Sequence, residues 1–107
     1  MTEDAILGGY LRKHERAPAF QGSDGAAYSV AVLVDANVDG GFAAALLFVQ
    51  WSEGGDRPVG HLETDYLAFG ATDKDAKAGV HALTLYEVKE HLERLIARAA
   101  ATRGSQT

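Results

Sequence analysis

Residues 61–67 have the sequence HLETDYL, and they are followed by Gly70, a short turn and a helical pattern that extends to Ala100. Apolar and polar side chains alternate in the first stretch, which indicates a β-strand with one buried face. The spacing of the apolar side chains after the turn indicates a helix. We therefore expect this strand and helix to form the centre of the fold, with the preceding residues packed onto them.

The N-terminal segment, residues 1–16, is predicted to contain a helix over residues 3–15. Several side chains recur at the three- and four-residue spacing of a single helical stripe. These are Ile6, Leu7, Tyr10, Leu11 and His14. Thr2 is the predicted N-cap, and Pro18 ends the element because proline disfavours helical geometry at the residue before it.

Residues 28–69 predict a three-stranded antiparallel sheet. In the first strand the even-numbered side chains form the expected core face, namely Tyr28, Val30, Val32 and Val34. Turn-forming residues at 35–41 precede a second strand, Phe42–Trp51. A longer loop at 52–59 precedes the third strand, Gly60–Phe69.

The second strand differs from its neighbours because both of its faces are apolar. Such a strand is expected at the centre of a sheet, or where a second subunit covers the face that the helices leave open. We therefore predict a homodimer, although the pattern does not decide which sheet face the second subunit covers. The predicted interface residues are Phe42, Ala44, Leu46, Phe48 and Trp51.

A helix is predicted over residues 72–100, followed by a flexible tail over residues 101–107. Thr72 and Thr84 each begin a capping-box pattern. The apolar side chains form two stripes whose centres differ by roughly 140° at 100° per residue. This offset fits one long helix or a break near Thr84, and we expect the single long helix. The predicted fold is α+β, with the order helix, three antiparallel strands and helix in one domain spanning residues 1–107.

Charge is unevenly distributed along the chain, whose formal net charge is −5. Residues 24–75 contain nine acidic and two basic side chains and therefore carry −7. Nucleic-acid binding needs clustered Lys and Arg, so we expect no nucleic acid on the sheet. A basic protein is the charged partner that this segment would suit.

The sequence contains no cysteine, which excludes a disulfide framework and a thiolate nucleophile. The N-terminal residues lack the pattern of a signal peptide, and no apolar run approaches the ~20 residues of a membrane span. We therefore expect a cytoplasmic protein that does not contact a membrane.

The chain lacks a P-loop, a dinucleotide-binding turn and a serine nucleophile elbow. The third predicted strand places His61, Glu63 and Asp65 on one face at period two, and these side chains are candidate ligands for a divalent cation. The same pattern is typical of an ordinary solvated strand face. We predict no catalytic residue and no cofactor, and we expect the protein not to be an enzyme.

An alternating first strand, a Gly-Gly turn and an apolar second strand are followed by a third strand that enters a helix through Gly70, Thr72, Asp75 and Ala76. Over residues 28–96 this arrangement resembles the HicB-like antitoxin fold. The resemblance implies a similar fold and dimerisation. The order of elements also matches the double-stranded RNA-binding domain, but the charges at the start of the last helix cancel here, whereas that domain binds RNA through basic residues.

Three functional hypotheses follow. The leading one is a small non-enzymatic, self-associating domain, HicB-like in fold, that binds another protein. The second is an antitoxin-like protein that neutralises a basic ribonuclease. The third is a metal-dependent enzyme that uses the candidate ligands on the third strand.

Overall fold

The computed structural model describes residues 5–14 and 16–104, and these residues form an α+β fold of three helices and a five-stranded antiparallel sheet. The helices are α1 (Leu7–His14), α2 (Asp73–His81) and α3 (Leu85–Gly104). The strands are β1 (Ala19–Gln21), β2 (Ala27–Ala36), β3 (Phe42–Trp51), β4 (Pro58–Glu63) and β5 (Ala68–Gly70). Within the described ranges, none of the three helices combines the length and the apolar content that a membrane crossing requires.

The sheet is built around β3, which pairs with three of the other strands. β2 pairs with β3 along its whole length, from Ala36 opposite Phe42 to Ala27 opposite Trp51. On its other side β3 pairs with β4 and then with β5. β1 extends the sheet beyond β2, so the order is β1-β2-β3-β4, with β5 beside β3 as well.

The core lies between the helices and one face of the sheet. Even-numbered side chains of β2 and β3 meet the apolar side chains of all three helices, because side chains on a strand alternate between its two faces. The buried cluster comprises Leu7, Tyr28, Val30, Ala44, Leu46, Phe48, Ala76, Val80, Val88, Leu92, Leu95 and Ile96. The expected core face of the first long strand is confirmed, since Tyr28 and Val30 are buried and Val32 and Val34 pack against the cluster.

The sheet has five strands rather than the three that were predicted. β1 is only three residues long, which is too short to show a periodic pattern. The predicted strand at residues 60–69 is interrupted, because β4 ends at Glu63 and β5 begins at Ala68. At the interruption the Thr64 hydroxyl accepts a hydrogen bond from the Leu46 amide at 3.0 Å, so a side chain replaces the carbonyl that a continuous strand would present.

The prediction of one long helix over residues 72–100 is also wrong, because α2 and α3 are separate. The break is held by the capping box at Thr84. Its hydroxyl accepts from the Glu87 amide at 3.0 Å, and the Glu87 carboxylate accepts from the Thr84 amide at 2.9 Å. The amide of Leu7 donates to the Leu83 carbonyl at 2.8 Å, which ties the start of α1 to the break.

The predicted ends of the terminal helices also differ from the structure. α1 begins at Leu7, later than residue 3. α3 continues to Gly104, so residues 101–104 are helical rather than part of a tail. The predicted N-cap Thr2 and the last residues, 105–107, lie outside the described residues.

We predict that Leu46→Ala or Leu92→Ala lowers the free energy of unfolding by about 2 to 5 kcal/mol, because both side chains are fully buried and truncation leaves a cavity. Chemical denaturation measures the change. Val38→Ala is the matched control, since Val38 is fully exposed in the β2–β3 turn and should change stability by less than about 0.5 kcal/mol. A loss below about 1 kcal/mol at Leu46 or Leu92 would contradict this core assignment.

Candidate binding surface

The sheet face opposite the helices carries the odd-numbered side chains of β2, β3 and β4, and we call it the outer face. From β2 it presents Ala27, Ser29, Ala31, Leu33 and Asp35. From β3 it presents Ala43, Ala45, Leu47, Val49 and Trp51. His61 and Glu63 of β4 lie opposite Val49 and Leu47, and Phe69 of β5 lies opposite Ala43. Apart from His61, the ionisable side chains on these strand positions are Asp35, near the end of β2, and Glu63, which lies directly opposite Leu47.

The centre of the outer face is formed by Leu47 and Val49, which are half-buried. Leu47 lies between Ala31 and Glu63 in the sheet register. A shallow depression of about 490 Å³ opens between these side chains and β4. An antiparallel sheet with one solvated face normally alternates apolar and polar side chains, and β3 does not.

One end of the outer face is covered by Tyr66, from the segment between β4 and β5. Its hydroxyl donates to the Asp35 carboxylate at 2.5 Å, so the side chain reaches across β3 to the end of β2. The ring of Phe69 packs edge-on against Tyr66, with centroids 6.3 Å apart. This cover explains why Ala43 and Ala45 are only 0% and 2% exposed although no helix lies on this face.

The hydrogen bond to Asp35 raises the pKa of Tyr66 above its ordinary value of 10.0, with smaller contributions from burial and from the negative charges of Asp35 and Glu63. The phenol therefore stays protonated and remains a donor at neutral pH. Because the raised pKa favours the protonated form in the folded protein, the contribution of this bond to stability is complete below about pH 10 and is lost as the pH rises through the raised value.

The other end of the outer face carries Trp51. The indole nitrogen donates to the Ser29 hydroxyl at 2.9 Å, which fixes the ring across β2 and β3. The following loop, residues 52–57, is closed by a bond of 2.8 Å from the Ser52 amide to the Arg57 carbonyl. A groove of about 850 Å³ runs between this loop and the start of β2, with Trp51 in its wall.

The structure places only one of the predicted interface residues on the outer face. Ala44, Leu46 and Phe48 are in the core, Phe42 packs against it, and Trp51 alone points outward. The four even-numbered residues of the predicted set therefore face the helices and not an open surface, while self-association itself stays a prediction. The pairing of Ala36 with Phe42 aligns even-numbered residues of both strands, so the even-numbered core face of β2 determines the core face of β3. Leu47 and Val49, which lie on the outer face, were not in the predicted set because the sequence of β3 alone does not distinguish its two apolar faces.

The three candidate metal ligands do not form a site. His61 and Glu63 share the outer face, with the imidazole Nε2 4.0 Å from the carboxylate. Asp65 follows the end of β4, so the period-two spacing no longer applies to it. No group of three or more His, Cys, Asp or Glu side chains able to hold a metal ion occurs in the part of the chain that the structure describes.

The other histidines lie away from this face. Burial lowers the pKa of His81, and the positive charges of Lys77 and Arg12 lower it further. Burial and Arg94 lower the pKa of His91. The ring of His14 stacks against Tyr10 at a centroid distance of 4.2 Å. These contacts are structural ones within or beside helices, and the expectation that the protein is not an enzyme stays a prediction.

The acidic residues of the segment 24–75 are distributed mostly outside the strands. Of the nine, only Asp35 and Glu63 lie on strands, and the others are in loops or in α2. With these two carboxylates and no Lys or Arg, the strands carry a formal charge of −2, so most of the negative charge of the segment lies outside the sheet. Lys and Arg are the residues that bind phosphate groups.

Comparison of the chain with protein-family models, with curated proteins and with solved structures found no match. The resemblance to the HicB-like antitoxin fold therefore stays a prediction that rests on the residues quoted for it. The same holds for its implied dimerisation.

We predict that Asp35→Asn lowers the pKa of Tyr66 toward 10.0, because the variant removes the acceptor charge that favours the protonated phenol. Nuclear magnetic resonance of the tyrosine ring carbons across a pH series measures this pKa, with Tyr66→Phe to assign the signal. Asp39→Asn, in the adjacent turn, should leave the pKa unchanged. An equal Tyr66 pKa in the wild-type protein and in Asp35→Asn would show that the bond does not form in solution.

Proposed function

We propose that this chain is a non-enzymatic domain that works by binding protein, and that it self-associates through its outer face. The observation that carries the proposal is the apolar centre of that face, where Leu47 and Val49 of β3 lie beside Ala31 and Leu33 of β2. All three helices belong to the layer on the opposite side of the sheet, so no described helix covers these side chains.

The composition of the outer face supports a protein contact. Isolated apolar side chains are common on protein surfaces, but a contiguous apolar strip indicates an interaction site. Every odd-numbered position of β3 is apolar or aromatic, and Phe69 adds a side chain that is 68% exposed. Aromatic residues are enriched in the cores of interfaces.

The apolar strip consists of the outer-face side chains of β3 with one neighbouring strand on each side. It is large enough to form an interface with a second copy of the chain. β3 has ten residues, which at ~3.3 Å per residue gives a length of about 33 Å. With one strand on each side at a spacing of ~4.8 Å, the width is roughly 14 Å. Two such strips packed face to face bury on the order of 900 Å² if each is treated as a flat rectangle, without the extra area of the protruding side chains. This area approaches that of small specific interfaces. Antiparallel sheets commonly pack in this way, ~10 Å apart.

The aromatic side chains at the two ends are already ordered. Trp51 is held by Ser29, and Tyr66 is held by Asp35. A side chain that is fixed before association loses less rotamer freedom when the partner binds. The two ends therefore act as rigid borders of the apolar strip.

A second copy fits this surface because Leu47, Val49, Ala31 and Leu33 are uncharged. Glu63, the carboxylate beside Leu47, lies on the flanking strand β4 next to His61. The contact would be isologous, with the same surface contributed by both chains. The alternative partner, a basic ribonuclease, would need carboxylates clustered on one surface. The dispersal of the acidic side chains over loops and α2 favours self-association over this alternative.

We predict that Leu47→Lys halves the mass of the assembly that the wild-type chain of 11.3 kDa forms at micromolar concentration. The lysine lies directly opposite Glu63 within its own sheet, which preserves the fold, but it places a charge in the centre of the contact. The expected weakening is at least a hundredfold, or about 2.7 kcal/mol. Size-exclusion chromatography with light scattering measures the mass, and circular dichroism checks the fold.

Val38→Lys is the matched control, because it adds the same charge at an exposed position of the β2–β3 turn. Its assembly should have the wild-type mass. A wild-type chain that elutes as a single 11.3 kDa species, or a Leu47→Lys variant that assembles like the wild type, would refute the proposal.

A further inference from the structure

A second surface of the sheet is independent of the outer face, namely the open edge of β2. β1 pairs with β2 only at Ala27–Ser29, although β2 continues to Ala36. Among the described residues, positions 31–36 therefore have a neighbouring strand on one side only, which is β3. We call these six residues the open edge.

The hydrogen bonds near β1 show which backbone groups of β2 point toward this side of the sheet. The amide of Gly22 donates to the carbonyl of Ala26 at 2.8 Å. The amide of Val30 points to the carbonyl of Pro18 at 3.4 Å. Even-numbered residues at the start of β2 therefore direct their backbone groups away from β3, since the direction alternates along an antiparallel strand.

By the same alternation, the amides and carbonyls of Val32, Val34 and Ala36 point out of the open edge. No backbone group among the described residues pairs with them. Unpaired groups in a row are a template for another strand. Their partner is therefore a β-strand or water.

The open edge lacks the features that usually prevent strand pairing. Exposed edges are normally protected by lysine, by proline, by a bulge or by a very short strand. The open edge contains no lysine, no proline and no glycine, and its single charged residue is Asp35, close to its end. β2 is ten residues long, and it pairs with β3 without a bulge.

We infer that the open edge of β2 pairs with the open edge of a second copy of this chain, in antiparallel orientation around a two-fold axis at Leu33. The two five-stranded sheets then form one continuous sheet. This contact goes beyond the proposed function, because it rests on backbone groups at the sheet edge rather than on the side chains of the outer face.

The register follows from the extent of the open edge and from the side chains on it. An axis at Leu33 lets Val32 of one copy exchange both backbone hydrogen bonds with Val34 of the other. An axis at Val32 would bring Asp35 opposite Ser29, where β1 already occupies the edge. An axis at Leu33 pairs residues 31–35 and an axis at Val34 pairs residues 32–36, so both use five residues of the open edge without meeting β1. The axis at Val34 would place Leu33 opposite the charged Asp35, whereas the axis at Leu33 places Leu33 opposite its own copy, and we therefore infer the axis at Leu33.

The side chains are compatible with this register. On the helix side, Val32 lies opposite Val34, and two β-branched side chains form a favourable cross-strand pair. On the outer face, Leu33 lies opposite itself and Ala31 lies opposite Asp35. The carboxylate of Asp35 therefore does not meet its own copy, and Tyr66 already donates to it. No like-charged pair arises, which favours a second copy as the occupant.

The edge contact and the outer-face contact are both isologous and use different surfaces. Two isologous contacts close into an assembly of four chains when their two-fold axes intersect at right angles. A substitution can remove either contact and leave the other in place. An experiment can therefore disprove the edge contact without disproving the outer-face contact, and the reverse. In the Leu47→Lys variant we expect the edge contact to remain and to give an assembly of two 11.3 kDa chains.

The test uses cysteine cross-linking in the Leu47→Lys background, because the native chain contains no cysteine. Leu33→Cys should form a disulfide between two copies under mild oxidation, since non-hydrogen-bonded residues directly opposite each other have Cα atoms ~4.5 Å apart. Ala31→Cys is the matched control on the same strand and face. Its two copies lie four residues apart along the strand, roughly 13 Å, and should not cross-link.

Two sheets stacked face to face are ~10 Å apart, which is too far for a disulfide, so the outer-face contact cannot produce the Leu33→Cys product. Non-reducing electrophoresis measures the cross-linked fraction. We expect most of Leu33→Cys and little of Ala31→Cys to be cross-linked. Equal yields from the two variants, or no product from Leu33→Cys, would overturn the inference.

Amide hydrogen exchange gives an independent readout without new cysteines. In the Leu47→Lys variant the amides of Val32 and Val34 should be protected at concentrations where two chains associate, and should exchange rapidly on dilution. The amide of Leu33 bonds within the chain to β3 and serves as the protected reference. Rapid exchange of Val32 and Val34 at all concentrations would also overturn the inference.

Discussion

The structure depends on the central position of β3. Because β2, β4 and β5 all pair with this strand, its register sets the direction of side chains across most of the sheet. The strict alternation of side chains then divides β3 into two apolar sets. One set, with Leu46 and Phe48, meets the helices, and the other, with Leu47 and Val49, does not. An apolar surface without a helix is thus a direct result of the sequence of this strand.

The helix layer shows why the second set is left without a cover. α2 and α3 both contribute to the same core, and the capping box at Thr84 lets the chain change direction between them. α2 also approaches the sheet closely, because a Cβ at Gly79 would lie only 2.5 Å from the Cβ of Ala68. All three helices are used to cover one face, so none remains for the other.

Local patterns predicted the parts of this fold that depend on local physics. The alternation from Tyr28 to Val34 gave the correct core face, and Thr84 with Glu87 marked the start of a helix, because both signals arise from residues close together in sequence. The interruption after Glu63 could not be predicted in this way, since it depends on a bond that the Leu46 amide donates to the Thr64 hydroxyl, eighteen residues away. The open face of β3 could not be assigned from its own sequence because both of its faces are apolar, and only the strand register distinguishes them.

The bond between Trp51 and Ser29 has a spectroscopic consequence. Trp51 is the only tryptophan of the chain, and its half-buried indole lies at the border of the outer face rather than in the core. The fluorescence emission of the folded protein therefore reports the polarity at one surface and is insensitive to packing among the helices. A change in emission wavelength without a change in ellipticity would indicate binding at that surface and not unfolding. Trp51 is therefore an intrinsic fluorescent probe of contacts with the outer face.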